Sequence, residues 1–231
     1  MNNGAFIFLG TLLVMLWSWY GIVVKNFKDI TALKPQALLE GGNYPAGRSG
    51  TANLGQLTYC ANGCAECHTM QVRMKGYGAD IERGWGRRNT TLQDFLYDQQ
   101  VFLGQARVGP DLAGVGNRNP DVQTQLLHLY NPRLTAPGSM MPQYPYLFEK
   151  RKVHGRASRE SLRLPDNFRE AGLEVVPTHE AIALAEYLVS LKADTPIFES
   201  PLIPKPEPAP QNTNAPVAGT NAPAGTNAVR G

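Results

Sequence analysis

The first apolar stretch of the chain, Ala5 to Val24, reads AFIFLGTLLVMLWSWYGIVV, about 20 residues without a formal charge. At the rise of an α-helix this length matches the hydrocarbon thickness of a bilayer, so the stretch predicts one transmembrane helix in contact with lipid. Trp17, Trp19 and Tyr20 suit one interface, and Lys25 and Lys28 follow in the headgroup region. A secretory signal would have a shorter apolar core, a basic start and a small-residue cleavage site, so residues 1–26 are expected to remain as an anchor.

After the anchor the pattern changes. Residues 27–50 scatter Ile30, Leu33, Leu38 and Leu39 among Pro35, Gly41, Gly42, Pro45 and Gly47, the composition of a connector. From Thr51, the residues Leu54, Leu57 and Ala61 recur at spacings of three and four, which predicts a helix that Gly63 stops. Thr90 or Thr91 can cap a short helix with Leu92, Phe95 and Leu96, and another follows Pro120 with Val122, Leu126, Leu127 and Leu129. Thr178 caps a last amphipathic helix, through Lys192, that carries Ile182, Leu184, Ala185, Leu188 and Leu191.

Between these helices the chain is irregular. Residues 69–89 form a loop rich in Gly and Arg, and residues 132–146 are too rich in proline for a helix or a central strand. Residues 149–176 are basic and polar and resemble an insertion, while the Pro/Ala/Asn-rich segment 199–231 has too few apolar groups to fold beyond about Pro204. The expected architecture is an all-α domain over 51–198, between an N-terminal anchor and a disordered C-terminal tail.

Composition narrows the function. A chain of 231 residues accommodates one domain of about 150 residues with an anchor and a tail. Its 22 Lys and Arg against 19 Asp and Glu leave a net charge of +3, too weak for nucleic acid, and no helix-turn-helix or stacked-aromatic pattern adds to it. Three cysteines exclude a disulfide framework.

Two of those cysteines lie in Cys64-Ala65-Glu66-Cys67-His68. Two thiols at this spacing can add to the two vinyl groups of one porphyrin, with the next histidine beside the iron, so C-x-x-C-H reads as attachment of a c-type haem. On a helical turn Cys64, Cys67 and His68 share one face. Zinc held by Cys60, Cys64, Cys67 and His68 would crowd four ligands into one run, and a thioredoxin-type pair would need a βαβ pattern that is absent. Cys60 is left as a small packed residue.

The proline-stiffened loop presents Met140 and Met141, and a thioether opposite His68 would close the iron to substrate and raise its potential. Met70 and Met74 follow His68 too closely to reach the opposite face. An arginine of the 69–89 loop suits a haem propionate, with Arg73 nearest ahead of Arg83, Arg87 and Arg88. His128 reads as structural or as a propionate contact. Covalent haem is attached outside the bacterial cytoplasm, which puts the domain on the periplasmic side of the inner membrane. Lys25, Lys28 and Arg48 after the span, with no basic side chain before it, favour the opposite orientation.

Four stretches carry a resemblance: CAECHTMQVR at 64–73, GQARVGPDL at 104–112, HLYNPR at 128–133 and PGSMMPQY at 137–144. Together with the anchor, they resemble the membrane-anchored monohaem cytochrome subunit (subunit II, FixO/CcoO type) of cbb3-type cytochrome c oxidases, over most of Gly55 to Phe198. The resemblance implies a class I cytochrome c fold, one covalent haem c with His68 and Met141 as metal ligands, and the Pro110 carbonyl on the proximal imidazole. It also implies a helix crossing at Gly55, Tyr59 and Tyr187. The implied activity is electron transfer from a further c-type cytochrome subunit to a haem-copper catalytic subunit, with no bond-breaking chemistry in this chain. Here C-H-T-M replaces the C-H-S-Q of better-known members. Two alternatives are the monohaem subunit of nitric oxide reductase, whose G-E-G-A-Y motif is absent, and a haem sensor with an open sixth site.

Overall fold

The computed structural model describes residues 3–38, 41–98, 100–198 and 200–202. Helix α1 (Gly4–Trp19), a π-helical turn (Tyr20–Val24) and helix α2 (Lys25–Thr31) run on as one helix. This helix has 28 residues, its most apolar window has a mean hydropathy of 2.0, and none of that window is buried. It passes the expected boundary at residue 26 because nothing in KNFKDIT breaks a helix, and the first breaker is Pro35.

The connector is tied to the domain. Strands β1 (Gln36–Ala37) and β2 (Asn43–Tyr44) pair antiparallel. Tyr44 is buried, and its hydroxyl donates to Asp94 at 2.5 Å. Gln93 Nε2 donates to the carbonyls of Lys34 and Tyr44 at 2.9 and 3.2 Å. Asp94 also accepts the N–H of Thr91 at 2.7 Å, which starts a 3-10 turn at Leu92–Phe95, and it pairs with the buried Arg88 at 2.5 Å.

Helix α3 (Gly50–Ala61) starts where Ser49 Oγ accepts the N–H of Ala52. It crosses the last helix, α6 (His179–Ser190), whose start is capped in the same way by Thr178. A Cβ on Gly55 would lie 1.9 Å from the carbonyl oxygen of Ala183, so a side chain at 55 would force the two backbones apart. One turn further on, the Tyr59 and Tyr187 rings meet edge-on at 5.6 Å. Between these helices and α4 (Val115–Arg118) and α5 (Val122–Tyr130) lies the core, built on Leu112, Val115, Leu126, Leu129, Leu184 and Leu188. Asp121 starts α5 by accepting the N–H of Thr124 at 2.9 Å.

The expectation of an all-α domain holds for the helices and fails at residues 149–176. Strands β3 (Phe148–Lys152) and β4 (Leu173–Pro177) form an antiparallel hairpin in register from Phe148↔Pro177 to Lys152↔Leu173. Phe148 stands edge-on to Tyr130 at 5.1 Å, and Leu162, Leu164, Val175 and Val176 are buried. The basic side chains obscure this pattern, but a β-branched pair and two alternating leucines between turn residues read as strand and core. At the other end, Ser200 is buried and donates to Asn89, so packed chain continues past the expected tail boundary at 199. The remaining tail, 203–231, lies outside the described residues.

Substituting Gly55→Ala should cost about 1–3 kcal/mol through overpacking at the crossing. Denaturant unfolding of the detergent-solubilised protein against wild type measures this, and an unchanged midpoint would show that the crossing relaxes freely.

Candidate cofactor site

Gly63, at φ 64°, ends α3 and turns the chain into a 3-10 turn at Cys64–Glu66. The N–H of His68 donates to the carbonyl of Cys64 at 3.0 Å. One turn thus brings together Cys64, half-buried, Cys67, exposed, and His68. Burial pushes the Cys64 thiol up to about 11, so it is protonated at neutral pH. Among the described residues no three His, Cys, Asp or Glu side chains gather as a metal-ion cluster.

His68 Nδ1 lies 2.8 Å from the carbonyl oxygen of Pro110. A carbonyl only accepts, so Nδ1 carries the proton and Nε2 keeps a free lone pair. Gly109 makes this approach possible, since a Cβ there would lie 2.3 Å from His68 Cε1. Burial lowers the His68 pKa, against smaller opposing effects of the Pro110 hydrogen bond and Asp111.

Beside Pro110, the fully buried Asp111 accepts from Thr69 Oγ1, the N–H of Gln71 and the N–H of Ala113 at 2.6, 2.7 and 2.9 Å. These bonds join the chain just after His68 to the chain that holds its imidazole. A second buried carboxylate, Asp80, pairs with Arg73 and Arg107 at 2.9 and 2.7 Å.

A cavity of about 360 Å³ opens beside this turn. Cys64, His68 and Met141 line it together. Part of its wall is apolar, with Tyr59, Leu112, Val115, Leu129, Leu184 and Leu188, and part is polar, with Arg118, Asn119, Thr124, Gln125, His128 and Thr135. The buried hydroxyl of Tyr59 has no hydrogen-bond partner among the described residues. An imidazole lone pair, a thioether, a thiol and an orphaned hydroxyl around a two-sided wall fit a haem, which has an apolar ring and two carboxylates.

The methionines separate clearly. Met141 is half-buried in the cavity wall and its N–H donates to Ser139 Oγ at 3.2 Å, whereas Met140 is 79% exposed. Met70 is buried in the core beneath the Tyr187 hydroxyl, and Met74 is exposed. Arg73, expected at a propionate, is held by Asp80 through Nε and one terminal nitrogen and is not part of the cavity wall. Arg118 stands in the wall instead. Sequence reasoning missed it because it searched the 69–89 loop; the available signal was a basic residue seven positions after Asp111, on the short α4. His128 lines the cavity with Nδ1 bonded to the Thr135 hydroxyl, and burial lowers its pKa.

No curated protein matches the chain in a sequence comparison. The family described as cytochrome c oxidase, mono-heme subunit/FixO matches residues 13–191, from within α1 to just past the end of α6. A match over that span, on a chain with one apolar N-terminal helix and a helical domain that gathers Cys64, His68 and Met141 at one cavity, shows that the chain belongs to the mono-haem subunits of cytochrome c oxidase, the FixO family.

Proposed function

We propose that the chain is the electron-transfer subunit of a cbb3-type haem-copper oxidase and carries one covalently bound haem c. The observation behind this reading is the cavity that Cys64, His68 and Met141 line together, in a chain of the mono-haem subunit family. When bound, the haem supplies a one-electron iron couple.

Cys64 and Cys67 hold the cofactor by thioether bonds, which suits their spacing and their place on one turn. His68 would hold the iron through Nε2, because Pro110 engages Nδ1. Met141 would hold the iron through its thioether, which would raise the potential and leave no site for substrate. The apolar wall excludes water around these ligands. Under this reading no residue of the cavity has to move a proton or break a bond.

The N-terminal helix anchors the subunit in the bacterial inner membrane, with the haem domain on the periplasmic side. Electrons arrive from a further c-type cytochrome subunit and leave towards the haem-copper catalytic subunit. Purification from membranes with identification of the co-purifying chains tests the assembly, and a multi-span, copper-containing partner is the expected result. Reporter fusions after residue 50 test the orientation, and a cytoplasmic signal would overturn it.

Met141→Leu should abolish the absorption band of the sulfur–iron bond and lower the midpoint potential, while Met140→Leu should change neither. Equal loss from both substitutions would sink the ligand assignment. Cys64→Ala and Cys67→Ala should each prevent formation of the two-thioether haem, read by mass spectrometry of the purified chain. In the wild type, acid-acetone extraction should release no haem.

A further inference from the structure

We propose that Thr69 is a positioning residue for His68: its hydroxyl holds the buried Asp111 carboxylate, and through it the Pro110 carbonyl, against the imidazole, and so lowers the potential of the bound haem. The inference rests on reading the neighbouring cavity as the haem site.

Two stretches of chain run side by side behind the imidazole. The N–H groups of Gln105, Gly109 and Leu112 donate to the carbonyls of Ala65, Cys67 and Thr69 at 2.9, 3.0 and 2.8 Å. Pro110 lies between the last two of these bonds and has no N–H of its own to donate. Its carbonyl oxygen faces His68 Nδ1 at 2.8 Å. The next residue, Asp111, supplies the tie that Pro110 cannot make.

The Asp111 carboxylate is fully buried and accepts from Thr69 Oγ1 at 2.6 Å, the N–H of Gln71 at 2.7 Å and the N–H of Ala113 at 2.9 Å. Arg107 approaches it only to 4.0 Å and is engaged instead by Asp80 at 2.7 Å and by the carbonyl of Gln71 at 2.6 Å. Hydrogen bonds therefore do most of the work of keeping this carboxylate in place. Two of the three donors are backbone N–H groups, which almost any residue would provide. Thr69 is the only one that depends on the side chain, and its bond is the shortest. Thr69 is itself buried, and a buried carboxylate that loses a donor pays the full cost of that group's desolvation.

The consequence reaches the iron through His68. A carbonyl held close to Nδ1–H draws on that proton and makes the imidazole a more basic ligand, and outer hydrogen bonding of this kind is one of the levers on a haem potential. A more basic ligand favours the oxidised iron, as does a carboxylate charge held nearby. Thr69 and Asp111 thus pull the potential down while a Met141 thioether raises it.

The test uses the purified full-length holoprotein in detergent, with two readouts: the midpoint potential, and the His68 Nδ1–H proton resonance of the reduced protein. Thr69→Val keeps the shape of the side chain and removes the donor, whereas Thr69→Ser keeps the donor. Thr69→Val should raise the reduced-to-oxidised ratio at a fixed applied potential about threefold, the scale of one hydrogen bond. It should also move the His68 proton to lower frequency as its bond to Pro110 weakens, and Thr69→Ser should leave both readouts close to wild type. A Val variant with the wild-type potential overturns the proposal, and so does a changed potential with an unmoved His68 proton. A Ser variant that shifts as far as Val also overturns it, because packing and not the hydroxyl would then matter. If Thr69→Val does not accumulate with haem, Thr69→Ala carries the same test with the same outcomes. Failure of the haem reading itself would show separately, as a wild-type protein without the sulfur–iron band.

Discussion

The structure depends on the close crossing of α3 and α6 at Gly55. Because the residue has no side chain, the backbone of α3 comes into direct contact with that of α6 at Ala183. The contact fixes Tyr59 against Tyr187, and it sets the direction in which α3 ends at Gly63. Cys64, Cys67 and His68 follow within five residues of that end, so their position is inherited from the crossing. The same α6 supplies Leu184 and Leu188 to the cavity wall. One packing constraint thus sets both the attachment turn and the surface opposite it.

A second layer of order is electrostatic and lies on the histidine side. The Pro110 carbonyl determines which nitrogen of His68 is free, and Asp111 holds that carbonyl's segment to residues 69–71. Asp111 is buried without a direct salt bridge as short as those of Asp80, and three donors hold it. Burial raises its pKa and the hydrogen bonds oppose the rise, so the bonds are what make a charged carboxylate tenable there. Such a preformed polar frame changes little when charge on a neighbouring group changes, which suits a site that gains and loses an electron.

Much of this was legible in the sequence, and the misses have physical causes. The anchor, the capped helices and the C-x-x-C-H turn are local features, carried by hydrophobic period, cap residues and fixed spacing. Gly55, Tyr59 and Tyr187 are legible only through the resemblance, since a crossing between residues far apart in the chain leaves no local signal. The hairpin was hidden because exposed basic side chains dominate its composition, while the buried residues that define it are few: Phe148, Val175 and Val176. Arg73 is the arginine of its loop nearest His68 in the chain, yet Asp80, also nearby in sequence, takes its charge. Separation in sequence says which side chains can meet, and competition among partners decides which do.

That competition also explains why the role of any one arginine is hard to read from composition. The chain has 22 Lys and Arg against 19 Asp and Glu, and its net charge of +3 suggests no particular ligand. Inside the domain the balance is local. Asp80 draws Arg73 and Arg107, and Asp94 draws Arg88, so these cations are neutralised by the fold itself. Arg118 is held by carbonyls, which orient a guanidinium without cancelling its charge. A fold that pairs Arg73, Arg88 and Arg107 with its own carboxylates, and holds the half-buried Arg118 in a cavity wall by neutral groups, concentrates its capacity for an anion at that wall. Recognition of a charged ligand is then a property of what the fold leaves unpaired, and the total charge carries almost none of the information.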